Sequence, residues 1–171
     1  MALTPRLRKL ALTTHVMASV GWLGAVVAFL ALSLAGLTSQ DPQIVQGAYR
    51  VMELTGWVVL VPFSLGSLAT GLICSLGSAW GLFRHYWVLA KLVLNVLATA
   101  LLLLHTTVID AVAAAAARGP LSPADLADPR RQLVADSAAA LVLLLLATTL
   151  GVLKPRGLTR YGGRKQLERR A

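Results

Sequence analysis

Cysteine is almost absent from this chain. The single residue, Cys74, excludes an intramolecular disulfide and a cysteine-based zinc cluster. Charge is scarce at 13%, and aromatic residues make up only 6%. The sequence has no HExxH, no phosphate-binding P-loop, no serine nucleophile elbow and no paired-carboxylate constellation, so hydrolysis and phosphoryl transfer have no visible machinery. Internal repeats and domain linkers are also missing.

What fills the chain instead is apolar sequence. Of the 171 residues 57% are hydrophobic, with mean hydropathy +0.72, concentrated in the runs Leu10–Leu37, Leu54–Leu76, Trp87–Leu104 and Ala138–Leu153. A hydrocarbon layer about 30 Å thick needs about 20 such residues at about 1.5 Å each. The composition therefore predicts an all-α four-helix transmembrane bundle. Its membrane domain covers residues 1–153, with helices at about 10–37, 54–76, 87–110 and 134–153, and a basic tail follows at 154–171. The first run follows Arg6, Arg8 and Lys9 like a signal peptide but is too long for one, and reads as an uncleaved first helix.

The net charge of +9 sits at the ends of the apolar runs rather than in an aromatic-interleaved patch, which favours anionic headgroups over nucleic acid as the partner. Arg6, Arg8 and Lys9, then Arg84 and Lys91, then the tail from Lys154 to Arg170 put both termini in the cytoplasm by the positive-inside rule. The Gly-punctuated tail is expected to be flexible and drawn to anionic lipid. Asp41-Pro42 and Asp128-Pro129 read as helix starts, and Ser122-Pro123-Ala124-Asp125 as the capping box of a short outer helix. Trp80, Phe83, Tyr86 and Trp87 read as an interfacial belt, Pro62 as a kink in the second helix, and Ala113–Ala117 as an extension of the third.

Ionisable groups inside a membrane mark candidate sites. On the third helix Lys91, Asn95, Leu102 and His105 are separated by steps of four, seven and three, which keeps them on one face over about 21 Å. This gives two polar levels. At the inner one, His15 of the first helix meets Lys91, with Trp22 walling the same cavity. At the outer one, Glu53, Asp110 or Asp136 orients His105. Small residues at Ala18, Gly21, Ala25 and Ala28, and at Ser67, Gly71, Cys74 and Ser78, form packing faces, whereas the fourth helix reads as lipid-facing. Imidazole suits haem or copper, with Met17 or Met52 as a soft thioether donor to copper. The opposite depths of His15 and His105 argue against a shared haem, which leaves one histidine at each site, or His15 alone, as the metal ligand.

The segments His15-Val-Met-Ala-Ser-Val-Gly-Trp-Leu-Gly and Trp87-Val-Leu-Ala-Lys-Leu-Val-Leu-Asn, running on to His105, together with Trp80-Gly-Leu-Phe-Arg-His-Tyr-Trp, resemble an uncharacterised bacterial family of small four-span membrane proteins. More distantly, the helix 1 histidine followed by Trp-x-Gly and the helix 3 Trp-x-x-Ala-Lys-Leu are similar to HemJ-type protoporphyrinogen oxidases and CopD-type copper-resistance membrane proteins. The HemJ likeness implies haem b at His15 and a corresponding lysine at Lys91. The arginine-bearing second helix of that enzyme is replaced here by Pro62, Gly66, Ser67 and Gly71, so the likeness implies a shared bundle and a cofactor cavity rather than porphyrinogen oxidation. The residues therefore admit three functions. One is a haem b or copper protein with His15, Trp22, Lys91, Asn95 and His105 at its sites. Another is an accessory subunit pairing with itself or a membrane protein partner. The third is a small transporter or ion pathway along the helix 3 stripe.

Overall fold

The computed structural model describes residues 4–77, 81–121, 125–155 and 157–168. It consists of α1 (Pro5–Thr38), α2 (Pro42–Thr55), a π turn (Gly56–Leu60), α3 (Val61–Leu76), α4 (Tyr86–Arg118), α5 (Ala127–Leu153) and a short α6 (Arg160–Glu168), with no strand among the described residues. Because α2, the π turn and α3 run on as a single rod, there are four rods, each long and apolar enough to cross a membrane. This is the all-α four-helix bundle that the composition predicts, with the architecture of a multi-pass membrane protein. Each rod packs on two neighbours in the cyclic order α1, α2–α3, α4, α5, so α1 and α4 face each other across the diagonal.

Local chemistry explains most helix ends. Asp41 caps α2 by accepting the Gln43 amide at 2.8 Å, with Pro42 in the first turn as its fixed φ allows. The alanine run carries α4 on to Arg118. Asp128, however, is not the cap of α5. That helix begins at Ala127, after Leu126 in a left-handed conformation, and Asp128 and Pro129 lie in its first turn. The capping box at Ser122–Ala124 and the aromatic Trp80 lie outside the described residues. Pro62 produces a π turn: without an amide proton it cannot bond the Val58 carbonyl, and the Val61 amide reaches back five residues to Gly56.

A belt of large apolar side chains faces outward, including Leu12, Val20, Val58, Phe63, Val96 and Leu145. In water it would be an extensive sticky surface; in a bilayer it is the lipid-facing side. Three rods of 33 to 35 residues are about 50 Å long, some 20 Å more than the hydrocarbon requires, and α5, with 27 residues, is about 40 Å long. The excess lies at the end away from the termini, where α2 is amphipathic. It buries Val45, Ala48, Tyr49 and Met52 against Val112, Ala116 and Leu133, and exposes Gln43, Arg50 and Glu53. Arg130 is buried there at 2% exposure and ties three helices. Its Nε donates to the Tyr49 hydroxyl at 2.9 Å and its Nη2 to the Gly36 carbonyl at 2.6 Å, with the guanidinium 5.6 Å from the Tyr49 ring centre.

The expectation of a flexible tail is corrected. The Thr159 amide donates to the Arg84 carbonyl at 3.0 Å and its hydroxyl to the Phe83 carbonyl at 2.5 Å, while His85 and Leu158 form an isolated antiparallel bridge. These bonds satisfy the backbone of the α3–α4 turn and hold the tail against it. The fourth span is corrected too: α5 packs on both α1 and α4, burying Leu133, Ser137, Leu144 and Ala147, and only its remaining face meets lipid.

Candidate functional site

The polar side chains inside the bundle fall at two depths. Nearer the termini, the His15 imidazole lies against α3: Nδ1 is 3.1 Å from the Ser67 carbonyl and 3.1 Å from the Thr70 hydroxyl. A carbonyl only accepts, so the proton is assigned to Nδ1 and the lone pair to Nε2. The close approach depends on small residues. A Cβ at Gly71 would lie 3.1 Å from His15 Cε1, and Ser19 and Ser67 join α1 to α3 through hydroxyls 2.8 Å apart. Lys91 reaches this level from α4, within Coulombic range of both His15 and Cys74, and its Nζ lies over Gly151 of α5. His15 and Lys91 thus share a depth, as expected, but the direct partners of His15 belong to α3.

The cavity lies at the other depth. It measures about 40 Å³ and runs beside α4 from Ala98 to Ile109, walled by Trp22, Phe29 and Leu60 and lined on its polar side by His105 and Asp136. At about 10–15 Å³ per water centre it has room for about three or four waters, far less than a macrocycle needs. Trp22, expected beside His15, lines this cavity instead, because seven residues of α1 carry it about 10 Å further along the axis. Of the three carboxylates considered for His105, Asp136 is the partner, with Oδ2 3.3 Å from Nε2. Asp110 accepts from the Trp57 indole at 2.9 Å, and Glu53 is exposed.

The surroundings of His105 define its chemistry. Nδ1 lies 2.7 Å from the Leu101 carbonyl and is assigned a proton, since that oxygen cannot donate. Nε2 faces a carboxylate oxygen. Two lone pairs would repel there, so a second proton resides on either Nε2 or Asp136. Asp136 Oδ2 is buried and makes no aligned hydrogen bond among the described residues. Among the described residues that line the cavity, the other elements facing the pair are uncharged: α1 presents Trp22, Val26 and Phe29, and the π turn presents Leu60, while Arg130 of α5 is bonded to Tyr49 and Gly36.

Asn95 is half-buried between the two levels and is not among the cavity's lining side chains. Thr99, one turn further along α4, was not singled out by sequence reasoning. It is buried, and its hydroxyl has no hydrogen-bond partner among the described residues. Its spacing of four from Asn95 was the available signal. Arg130 was likewise missed, because α5 begins at Ala127, about three turns before the apolar run that announces it.

Metal chemistry has a thin donor set. No group of three or more His, Cys, Asp or Glu side chains suited to a metal exists among the described residues. Met17 is 66% exposed toward lipid and Met52 is buried at the far end of the bundle, so neither thioether joins His15. Comparison with protein-family models, with curated proteins and with solved structures finds no match.

Proposed function

We propose that this chain is a multi-pass protein of the bacterial cytoplasmic membrane, with both termini inside, that passes protons along the inward face of α4. One observation carries the reading: each nitrogen of His105 faces an acceptor, so the His105–Asp136 pair holds one exchangeable proton in the wall of a small cavity. Towards the other membrane face Thr99, Asn95 and Lys91 follow at one-turn intervals, about 6 Å apart. The cavity spans the apolar gap that Ala98 and Leu102 leave between Thr99 and His105. A buried pair that exchanges a proton beside space for water is the minimal equipment of a relay.

The test is proton flux into proteoliposomes under an imposed potential, read by an internal pH dye. Wild-type protein should conduct, and Asp136→Asn and His105→Gln should each reduce the rate at least about a hundredfold, the lower end for a lost acid–base group. Equal flux in wild type, variants and empty vesicles would refute the proposal.

A second reading, a cofactor ligated by His15, is favoured by the bonding of Nδ1 to Ser67, which leaves Nε2 as the free donor. An absorption spectrum and metal analysis of detergent-purified wild type beside His15→Ala test it. A Soret band or bound copper lost in the variant supports haem b or copper, and a colourless, metal-free wild type removes both.

A further inference from the structure

The end of the bundle that carries both termini has a feature the proton reading does not use. By sequence, twelve of the sixteen Lys and Arg residues lie in its segments, before Leu10, between Leu76 and Leu92, or after Leu153, against one acid of seven, Glu168. Charge alone would describe a loose basic fringe. The structure adds a fixed geometry, because the segment after α5 is fastened to the α3–α4 turn. The Tyr86 amide donates to the Gly157 carbonyl at 3.4 Å, Thr159 is bonded to Phe83 and Arg84 as described, and the Gly162 amide donates to the Thr159 hydroxyl at 3.0 Å. Gly162 is buried directly against the Arg84 carbonyl, where any Cβ would collide with backbone that cannot yield.

This clamp sets the direction in which α6 leaves the bundle. Arg160 and Arg164 are exposed on it, four residues and hence about one turn apart. Beside them the aromatic and aliphatic side chains of Phe83, Tyr86, Leu158 and Tyr161 are 43 to 58% exposed, adjoining the end of the lipid-facing belt at Val152 and Leu153. Exposed aromatics next to paired guanidinium groups, held at the edge of an apolar belt, suit one environment. The rings enter the acyl boundary while the guanidinium groups meet phosphodiester oxygens with bidentate geometry.

We infer that the clamped α6 and the α3–α4 turn form a binding surface for anionic phospholipid headgroups of the adjoining leaflet. Charge complementarity selects the anionic headgroup, and the adjoining apolar belt selects a lipid over a free anion. A near-surface basic residue contributes a factor of about five in affinity, so loss of two weakens binding about 25-fold.

The experiment is native mass spectrometry of the full chain in micelles, titrated with phosphatidylglycerol or with phosphatidylcholine of the same acyl chains. Wild type should retain phosphatidylglycerol preferentially. The double variant Arg160→Gln with Arg164→Gln should lose about 25-fold in apparent affinity for it while phosphatidylcholine is unaffected. Gly162→Ala, which alters no charge, should weaken the anionic lipid by displacing α6. Equal retention of the two lipids, or an unchanged preference in the double variant, would overturn the proposal. So would displacement of the lipid by millimolar inorganic phosphate or by a short oligonucleotide, since the surface would then serve a free anion or a nucleic acid. Both arginines are exposed, so the double variant decides the matter whether or not Gly162→Ala folds.

Discussion

Replacing Tyr49 by Phe removes one oxygen and tests how the non-terminal end of the bundle is held. That hydroxyl accepts from the buried Arg130 Nε at 2.9 Å, and a hydrogen bond from a charged donor contributes about 1.5–3 kcal/mol. A loss of about 2 kcal/mol is expected, which in a chain of this size lowers the unfolding midpoint by about 4–8 °C. Arg130→Met removes that bond and the one to Gly36 but also relieves the burial of a charge, so its net cost is about 3 kcal/mol. Gly36→Ala attacks the same junction sterically. Its Cβ would stand 2.6 Å from Tyr49 Cζ, and the ring cannot swing away while Arg130 holds its oxygen, giving an overpacking cost of about 1–3 kcal/mol. Combining Gly36→Ala with Tyr49→Ala should abolish that extra cost. Tryptophan fluorescence during heating in micelles, at one fixed scan rate because membrane proteins seldom unfold reversibly, supplies the midpoints. An unchanged midpoint for Tyr49→Phe, or additive costs in the double variant, would refute the account of this junction.

Two glycine replacements should diverge. Gly21→Ala meets the Phe63 ring at 2.7 Å and should cost about 1–3 kcal/mol, whereas Gly151→Ala meets only the flexible tip of Lys91 and should stay within about 0.5 kcal/mol, both by thermal midpoint. Ser67→Ala breaks the hydroxyl pair with Ser19 and should cost about 0.6 kcal/mol, the usual value between membrane helices; a loss several times larger in the same assay would mean that the His15 contact collapses with it. Infrared difference spectra of the membrane-reconstituted protein on transfer from water to heavy water should contain a carboxyl or carboxylate band that disappears in Asp136→Asn, since the proton shared with His105 is exchangeable. A spectrum identical in wild type and variant would count against that sharing.

The bundle was legible because length and hydropathy dictate it: runs of about 20 apolar residues leave a chain few alternatives in lipid. The Asp41-Pro42 start was equally readable, since its cap is made by residues adjacent in sequence. Asp128-Pro129 has the same composition and misled, because tertiary packing of Arg130 and Leu133 draws α5 out to Ala127. The α4 stripe correctly placed Lys91 and His105 at separate depths. It did not reveal that His15 bonds to α3 or that Trp22 belongs with His105, because helical spacing fixes a face but not the neighbour that face meets. The anchoring of the tail was illegible for a related reason. Its bonds run from Thr159 to backbone oxygens of residues 83 and 84, which no side-chain pattern encodes.

The wide turn at Gly56–Leu60 also governs how the second rod is phased. Met52, Gly56, Leu60 and Ser64 are all buried at successive intervals of four, and in a regular helix each such interval rotates a side chain about 40° off the preceding one. One surplus residue absorbs that drift, so the aqueous half of the rod and its lipid half both keep their buried edges on the bundle axis. Were these residues wound as a regular helix at unchanged length, everything downstream would turn by about 100°, carrying Ser64 and Ser67 out towards acyl chains and Phe63 away from Gly21. Proline 62 thereby determines, from two turns away, whether the imidazole of the first rod finds an oxygen to bond.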